Sequence, residues 1–565
     1  METQEINSRN PAIPLDTDYL SNYTSRIFVD LHSMDLSRRR KATQFFSGDS
    51  FSEIDQRKKI ETLKNISFQR EKIYAILTRQ NQLYQASKAT ISNIEKVKSP
   101  NTFFIVTGQQ VGLFSGSLYT IYKTITTIAL SKFLTKKWRS NYPEISFIPL
   151  FWLEGEDHDY EEISKVTTFH QGKPETFQFQ SSNFQKRKMT GRTVLGKDIE
   201  LFIDTFIALL QPSDYKSKIE SLLKETYTPE KTFTEAFATL MMKLFSEDGL
   251  VFLNSDDQEF KRLCAPVFSR EIMNDTESSQ QVIAQSALLE EEGFQAQAKS
   301  QPINAYLIED SRRLRLERLN AKEFSLLPDK SKVSESNILD FIYNEPERFS
   351  ANVILRPLIQ DYAFPNAVYV GGPGEAGYWA QLKSLYSHFN IEEPLFYPRA
   401  SLSLLENKYL KAFHTPSLLS EELGIFFSDK NKFIQTRLPE AGSAFDKALF
   451  EESEEKLRII LESLRHYFNT HQPAMIQHLN ASAEKMIYHL KTLQEKSQKL
   501  ELDKHQVALN QIEKAYTNLI PSNILQERVI NFFFYANKYG FELLENMKFA
   551  VESNLEEPKH LVLTL

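Results

Sequence analysis

Three short stretches of the chain combine residue types that can do chemistry. In the first, Gly108, Gln109, Gln110, Gly112, Ser115, Gly116 and Ser117 follow the apolar run TFFIV and precede LYTIYKTITTIAL, which reads as a helix. A strand that ends in glycines and feeds a helix aims backbone N–H groups, backed by the helix dipole, at a phosphate or carboxylate. Lys123, one turn into that helix, adds a mobile cation. A tight turn with a capping serine is the plainer alternative, and the stretch matches neither GxxxxGK[ST] nor GxGxxG.

In the second stretch, Glu154, Glu156, Asp157, His158, Asp159, Glu161 and Glu162 follow the apolar run FIPLFWL. Ligands bind beyond the carboxyl ends of strands in an open parallel sheet. Acids gathered around one histidine at such a place can hold Mg²⁺, orient an amine or serve as a general base. A solvated acidic loop is the alternative. One histidine with no cysteine beside it lacks the usual zinc ligands. The third stretch is Gly371, Gly372, Pro373, Gly374, Glu375 and Tyr378, where glycines permit close backbone approach at a second helix start. It too reads alternatively as an ordinary βα turn. Two such turns, with the acidic loop between them in sequence, point to one shared crevice.

Other groups are more ambiguous. Arg356, Gln360, Asp361 and Tyr362 flank the turn before AVYV, and Arg399 stands near Ser401 and Ser403. Each set suits a ligand-lining role or a structural polar cluster equally well. Arg312, Arg313, Arg315 and Arg318 are diluted by Glu309, Asp310 and Glu317, so that run reads as a solvated face. Covalent catalysis finds no support. There is no GxSxG elbow, and Cys264 in KRLCAPVF reads as a small buried residue.

The elements that must position these residues alternate strand, loop and helix, which predicts an α/β fold with a doubly wound parallel sheet. Residues 1–95 read as a helical segment and 96–165 as the first half of the core. Residues 166–345 form an insertion, with TTFHQG and FQFQ as edge strands. Residues 346–445 form the second half of the core, where VILRPLIQ, AVYV and LFYPRASLSLL read as strands. Residues 446–520 form a helical arm with apolar positions three and four apart, its turn expected in the charged stretch Glu495–Lys504, and 521–565 a helical tail. The arm's apolar stripe suits either a second copy of the chain or an intramolecular hairpin.

Length and composition set outer bounds. At 565 residues the chain exceeds what one core organises, so several structural units are expected. The net charge of −7 gives no general attraction for nucleic acid. A single cysteine, Cys264, forms no intrachain disulfide, and the opening METQEINSRNPAIPL lacks the features of a secretory signal, which together predict a cytoplasmic location. No apolar stretch reaches the ~20 residues of a membrane span.

Taken together and in order, VTGQQVGLFSGSLYTIYK, PLFWLEGEDHDYEE and LRPLIQDYAFPNAVYVGGPGEAGYWAQLK resemble the BshC family of cysteine-adding enzymes in bacillithiol biosynthesis. GLVFLNSDD and LQERVINFFFYANKYG are similar too, so the resemblance spans nearly the whole chain. It implies a Rossmann-like core interrupted by connecting-peptide insertions, as in class I aminoacyl-tRNA synthetases, and a C-terminal α-helical coiled-coil domain that makes a homodimer. It implies a ligase that joins cysteine to the amine of glucosaminyl malate, with ATP or ADP as nucleotide; the acidic loop, read from its own residues, adds Mg²⁺ as a candidate companion. Where the synthetase HIGH signature falls, GLFSGSLY lacks both histidines, so the adenylation mechanism does not carry over directly.

Under this resemblance ATP converts cysteine to an acyl-phosphate or acyl-adenylate, and the deprotonated sugar amine attacks it. Donors in Gly108–Ser117 and Gly372–Glu375 stabilise the developing charge, with Lys123 and Arg399 as auxiliary cations. Asp157 or His158 takes the amine proton, a role worth ~10²- to 10⁴-fold in rate. Glu156, Asp159, Gly371 and Tyr378 complete the expected binding set. The competing readings are an aminoacyl- or adenylyl-transferring enzyme with another acceptor, and a nonenzymatic nucleotide-binding scaffold.

Overall fold

Five parallel strands organise the core of the chain in a computed structural model that describes residues 12–274, 276–413, 419–438, 447–504 and 506–565. Their spatial order is Leu395–Pro398, Asn366–Gly371, Thr102–Gln110, Ser146–Glu154 and Val251–Asn254. Counted along the chain, the strands run fifth, fourth, first, second, third. This is the doubly wound Rossmann-like order, whose winding reverses between the first strand and the fourth. The reversal leaves a crevice beyond the carboxyl ends of Thr102–Gln110 and Asn366–Gly371.

The strand sequences are continuously apolar because helices cover both faces of the sheet. Phe103, Ile105, Phe147 and Phe151 enter one core cluster, while Phe104, Val106, Ile148, Leu150 and Trp152 enter the other. The helix Leu118–Trp138 lies in the first cluster and is buried on nearly every side. Thr124, Thr126 and Thr127 survive there because each hydroxyl donates to the carbonyl four residues back, at 2.7 to 2.8 Å. Truncating a fully buried ring such as Phe104 would cost ~3–5 kcal/mol.

The insertion contains the expected edge hairpin, Lys165–His170 with Lys173–Gln178. It also supplies four strands of a five-stranded antiparallel sheet ordered Ser331–Ser334, Glu323–Leu327, Arg312–Asn320, Ala305–Glu309 and Phe349–Ala351, the last coming from just beyond the expected insertion. The arginine run is therefore a strand with one solvated face. Its period of two buries Leu314 and Leu316 in the core and turns Arg313, Arg315 and Glu317 to the other face, where Arg315 and Glu317 are exposed and Arg313 is covered at the cavity beside Asp157.

Two further expectations change. Leu355–Ala363 is a helix, not a strand: Pro357 falls in the first turn, where a missing N–H is tolerated, and Leu355, Leu358 and Ile359 are buried on one side. LFYPRASLSLL divides into two strands. Ser401–Leu405 leaves the parallel sheet to pair with His560–Thr564, which pairs on its other side, antiparallel, with Ala12–Leu15. The tail thus contains helices and ends in a strand.

Residues 405–518 form a separate compact unit, which takes in the stretch 405–438 that reads in sequence as the end of the core. Within it, the helices Lys447–His471 and Ile476–Lys504 meet through Leu461, Leu479 and Ala483. Their turn is Pro473–Met475, and the charged stretch expected to turn stays helical through Lys504. Proline, with no N–H to give, starts a new helix more easily than charge ends one. Among the described residues no helix is long and apolar enough to cross a membrane.

Candidate active site

A cavity of about 390 Å³ opens at the reversal point of the parallel sheet. Its floor is a buried ion pair that braces the two strand ends. Lys123 Nζ lies 2.5 Å from Glu375 Oε2 and donates to Gly108 O at 2.7 Å and Gln109 Oε1 at 3.0 Å, so all three ammonium protons are engaged. Glu375 also accepts from Tyr369 Oη at 2.6 Å and from Gly372 N–H at 2.7 Å. Burial lowers the pKa of Lys123 against the opposing pull of Glu375. For Glu375, burial pushes upward, but Lys123 and the two donors outweigh it and hold the carboxyl below its usual range.

One wall is acidic. Burial pushes Asp157 upward, yet His158 Nδ1 at 3.3 Å and an Arg313 guanidinium at 3.7 Å hold it well below the carboxylate range. Its other oxygen accepts from Gln110 Nε2 at 3.1 Å. Glu154, three residues away, behaves differently: burial, then the neighbouring Glu156 charge, push its carboxyl up to about 7.

Three further arginines line the cavity. Arg356 donates to Gln360 Oε1 at 3.1 Å and Tyr378 Oη at 3.3 Å, with its guanidinium 5.5 Å from the Trp152 ring. Arg399 forks onto Glu527 at 2.6 and 3.1 Å and also donates to Ala400 O. Arg528 stands exposed at the cavity margin.

The structure brings together Gly108, Gln109, Gln110, Lys123, Asp157, Gly372, Gly374, Glu375, Tyr378 and Arg399 around this one space. It does not bring Gly112, Ser115, Gly116 or Ser117 to it. Their turn is sealed from within. Phe114 N–H donates to Tyr227 Oη, Gly116 N–H to Leu113 O and Leu118 N–H to Ile530 O, each at 2.9 Å, while Asn531 Nδ2 donates to Phe114 O and Gly116 O. Ser117 makes no side-chain cap.

Several expected acids also turn away. Glu156 is buried against Lys261 at 2.7 Å and Ser255 at 2.6 Å, and Asp159 caps the short helix Tyr160–Ile163. His158 is 60% exposed and does not line the cavity, and Gly371 packs so closely that an added Cβ would lie 2.6 Å from the Phe396 ring. Sequence reasoning missed Arg313, since the alternation in RRLRLERLN places it on the same face as the exposed Arg315 and Glu317. It also missed Arg528, which only the tertiary fold delivers.

These placements limit what the site can hold. For a phosphate, the donors of Gly112–Ser117 are sealed, Gly372 N–H is taken, and Lys123 and Arg399 are committed. The Gly374 backbone remains open, since a Cβ there would meet nothing within 4 Å, and with Arg528 it fits one anionic group. For Mg²⁺ the acidic side chains diverge to separate partners, and no group of three metal-ligating side chains occurs among the described residues. A protein-held metal does not fit.

Residues 16–400 match the family model "Bacillithiol biosynthesis BshC, N-terminal Rossmann-like domain", and residues 421–565 match "Bacillithiol biosynthesis BshC, C-terminal coiled-coil domain". A protein of Chloroherpeton thalassium named "Putative cysteine ligase BshC" is 36% identical over 548 residues, covering 96% of this chain and 97% of that protein. Proteins with the same printed name from Prosthecochloris aestuarii and Bacillus cytotoxicus are 35% and 28% identical, covering 96% and 88% of this chain and 97% and 91% of those proteins. With both family models matched in order and near-complete coverage of these relatives, the chain belongs to the BshC family.

Proposed function

We propose that the cavity is the site of a ligase that forms an amide between cysteine and the amine of glucosaminyl malate, the closing step of bacillithiol biosynthesis. The observation that carries this reading is the opposition of charges in one small space. Asp157 stays ionised in the same cavity that Arg356 and Arg528 line, so an ammonium and a carboxylate-bearing partner are accommodated together. The printed name of the relatives, cysteine ligase, agrees with that chemistry.

An amide from a free carboxylate in water requires activation, and the reading assigns that task to ATP as co-substrate. This chain's residues do the rest. Asp157 holds the acceptor's ammonium, with Gln110 and Arg313 fixing the carboxylate's direction. The open Gly374 backbone and Arg528 receive an anionic group. Lys123 and Glu375 act as positioning residues, locking Gly108 and Gly372 into one rim. A reaction on an unprotected thiol belongs in the reducing cytoplasm. The reading also includes pairing of two copies through the arm, whose Ile459, Ile460, Tyr467, Met486 and Leu493 are exposed.

The test is incubation of the purified chain with cysteine, glucosaminyl malate and ATP, followed by mass spectrometry of the product. The expected product is the acceptor plus cysteine less one water. A product with a different acceptor would redirect the assignment, and no turnover with any amino acid would favour the scaffold reading. Sedimentation of the full chain and of a deletion of residues 446–520 tests the dimer; equal mass for both after allowing for the deletion would remove the arm's role.

A further inference from the structure

We propose that Glu154 is the base that takes the proton from the acceptor's ammonium, while Asp157 holds that cation without exchanging its own charge. The inference rests on the ligase reading and assigns a residue within it. Its first support is position. Glu154 ends the strand Ser146–Glu154 in register with Gln110, and its side chain lines the same cavity as Asp157. The second support is the absence of a committed partner. Asp157 has His158 and Arg313, and Glu375 has Lys123, whereas Glu154 accepts only from Trp152 Nε1 at 3.2 Å and forms no ion pair among the described residues.

The groups facing Glu154 come from three elements. Glu156 and Asp157 lie on its own loop, Arg356 on the helix Leu355–Ala363, and Arg313 on the strand Arg312–Asn320. Burial and the two carboxylates favour the protonated form, and the two guanidiniums oppose them, leaving the group near 7. Asp157 is driven the other way. Two carboxyls in one cavity with proton affinities pushed apart divide the labour of binding a cation and exchanging a proton.

The step balances as follows. A Glu154 oxygen takes one proton from the acceptor ammonium. The freed nitrogen lone pair forms the C–N bond to the cysteine carbonyl carbon, whose carboxyl has been activated by the nucleoside triphosphate. The bond from that carbon to the leaving oxygen breaks, with its electron pair remaining on the leaving group. The second nitrogen proton passes to solvent, as does the proton on Glu154 before the next turnover.

The experiment is a pH profile of kcat/KM between pH 5.5 and 8.5 for the wild type, Glu154→Gln and Glu154→Asp, with thermal unfolding of each. The wild type is expected to lose activity with unit slope below about pH 7. Glu154→Gln is expected to unfold at the wild-type temperature, to lose ~10²- to 10⁴-fold in rate and to lose the acid limb. Glu154→Asp, which keeps a carboxyl, is expected to retain an acid limb at intermediate rate, and it decides the matter if the glutamine variant does not fold. A glutamine variant within tenfold of wild type or retaining the wild-type acid limb, or an aspartate variant with the wild-type rate, overturns the proposal. A wild type with no turnover overturns the ligase reading, and this assignment with it.

Discussion

The turn after Thr102–Gln110 and the turn after Asn366–Gly371 share their local ingredients: an apolar parallel strand, glycines, and a helix start. Yet only the second opens to the cavity. In the first, Phe114, Ser115 and Gly116 all sit at positive φ, a conformation that non-glycine residues hold only when surrounding contacts impose it. Asn531 and Tyr227 impose it and take up the Phe114 N–H and the Phe114 and Gly116 carbonyls. In the second, Glu375 takes one N–H, and the Gly374 backbone faces empty space. Glycines in a βα turn permit an anion site; the residues that arrive from elsewhere decide whether one exists.

The largest effect that would test this contrast comes from the brace beneath the open turn. Lys123→Met leaves Glu375 buried without its cation, which is expected to cost ~3–5 kcal/mol of stability by denaturant unfolding. An unchanged midpoint would mean that the pair does not hold the rim together. Next is the seal of the closed turn. Asn531→Ala orphans two carbonyls and removes a helix cap, with an expected loss of ~2–4 kcal/mol. Its folded fraction should retain wild-type KM, because that turn does not line the cavity; a raised KM would dissolve the distinction between the two turns.

Smaller effects sharpen the picture at the cavity itself. Gly374→Ala meets no clash and no positive φ, so stability should stay within ~0.5 kcal/mol. KM for the anionic substrate should nonetheless rise about tenfold, or ~1.4 kcal/mol, measured by steady-state kinetics. Smallest is His158→Ala. The ring is exposed and outside the lining, so activity should remain within about threefold, or ~0.6 kcal/mol. A hundredfold loss would restore His158 to the chemistry.

The parallel strands were legible because long β-rich apolar runs such as TFFIV and FIPLFWL have few other readings. VILRPLIQ was not, since a short apolar run without clear periodicity suits a buried helix as well as a strand. Its reassignment as a helix matters, because that helix supplies Arg356 to the cavity. Local composition also predicted that Gly108, Asp157 and Gly372 would meet. It did not predict which loop residues would be spent on other partners. Asn531 lies more than 400 residues from the turn it seals, and no window around Gly112 contains that information. Glu156, Asp157 and Asp159 are neighbours in sequence but have three separate destinations, because successive loop residues point in different directions.

The central claim is that the open Gly372–Glu375 turn and the acidic strand end bound one substrate cavity. Gly374→Trp tests it directly, since the indole would enter the empty space and occupy the cavity. Calorimetric titration with glucosaminyl malate should give a clear binding heat for the wild type and none for Gly374→Trp at an unchanged unfolding temperature. Wild-type affinity in the filled variant would contradict the account.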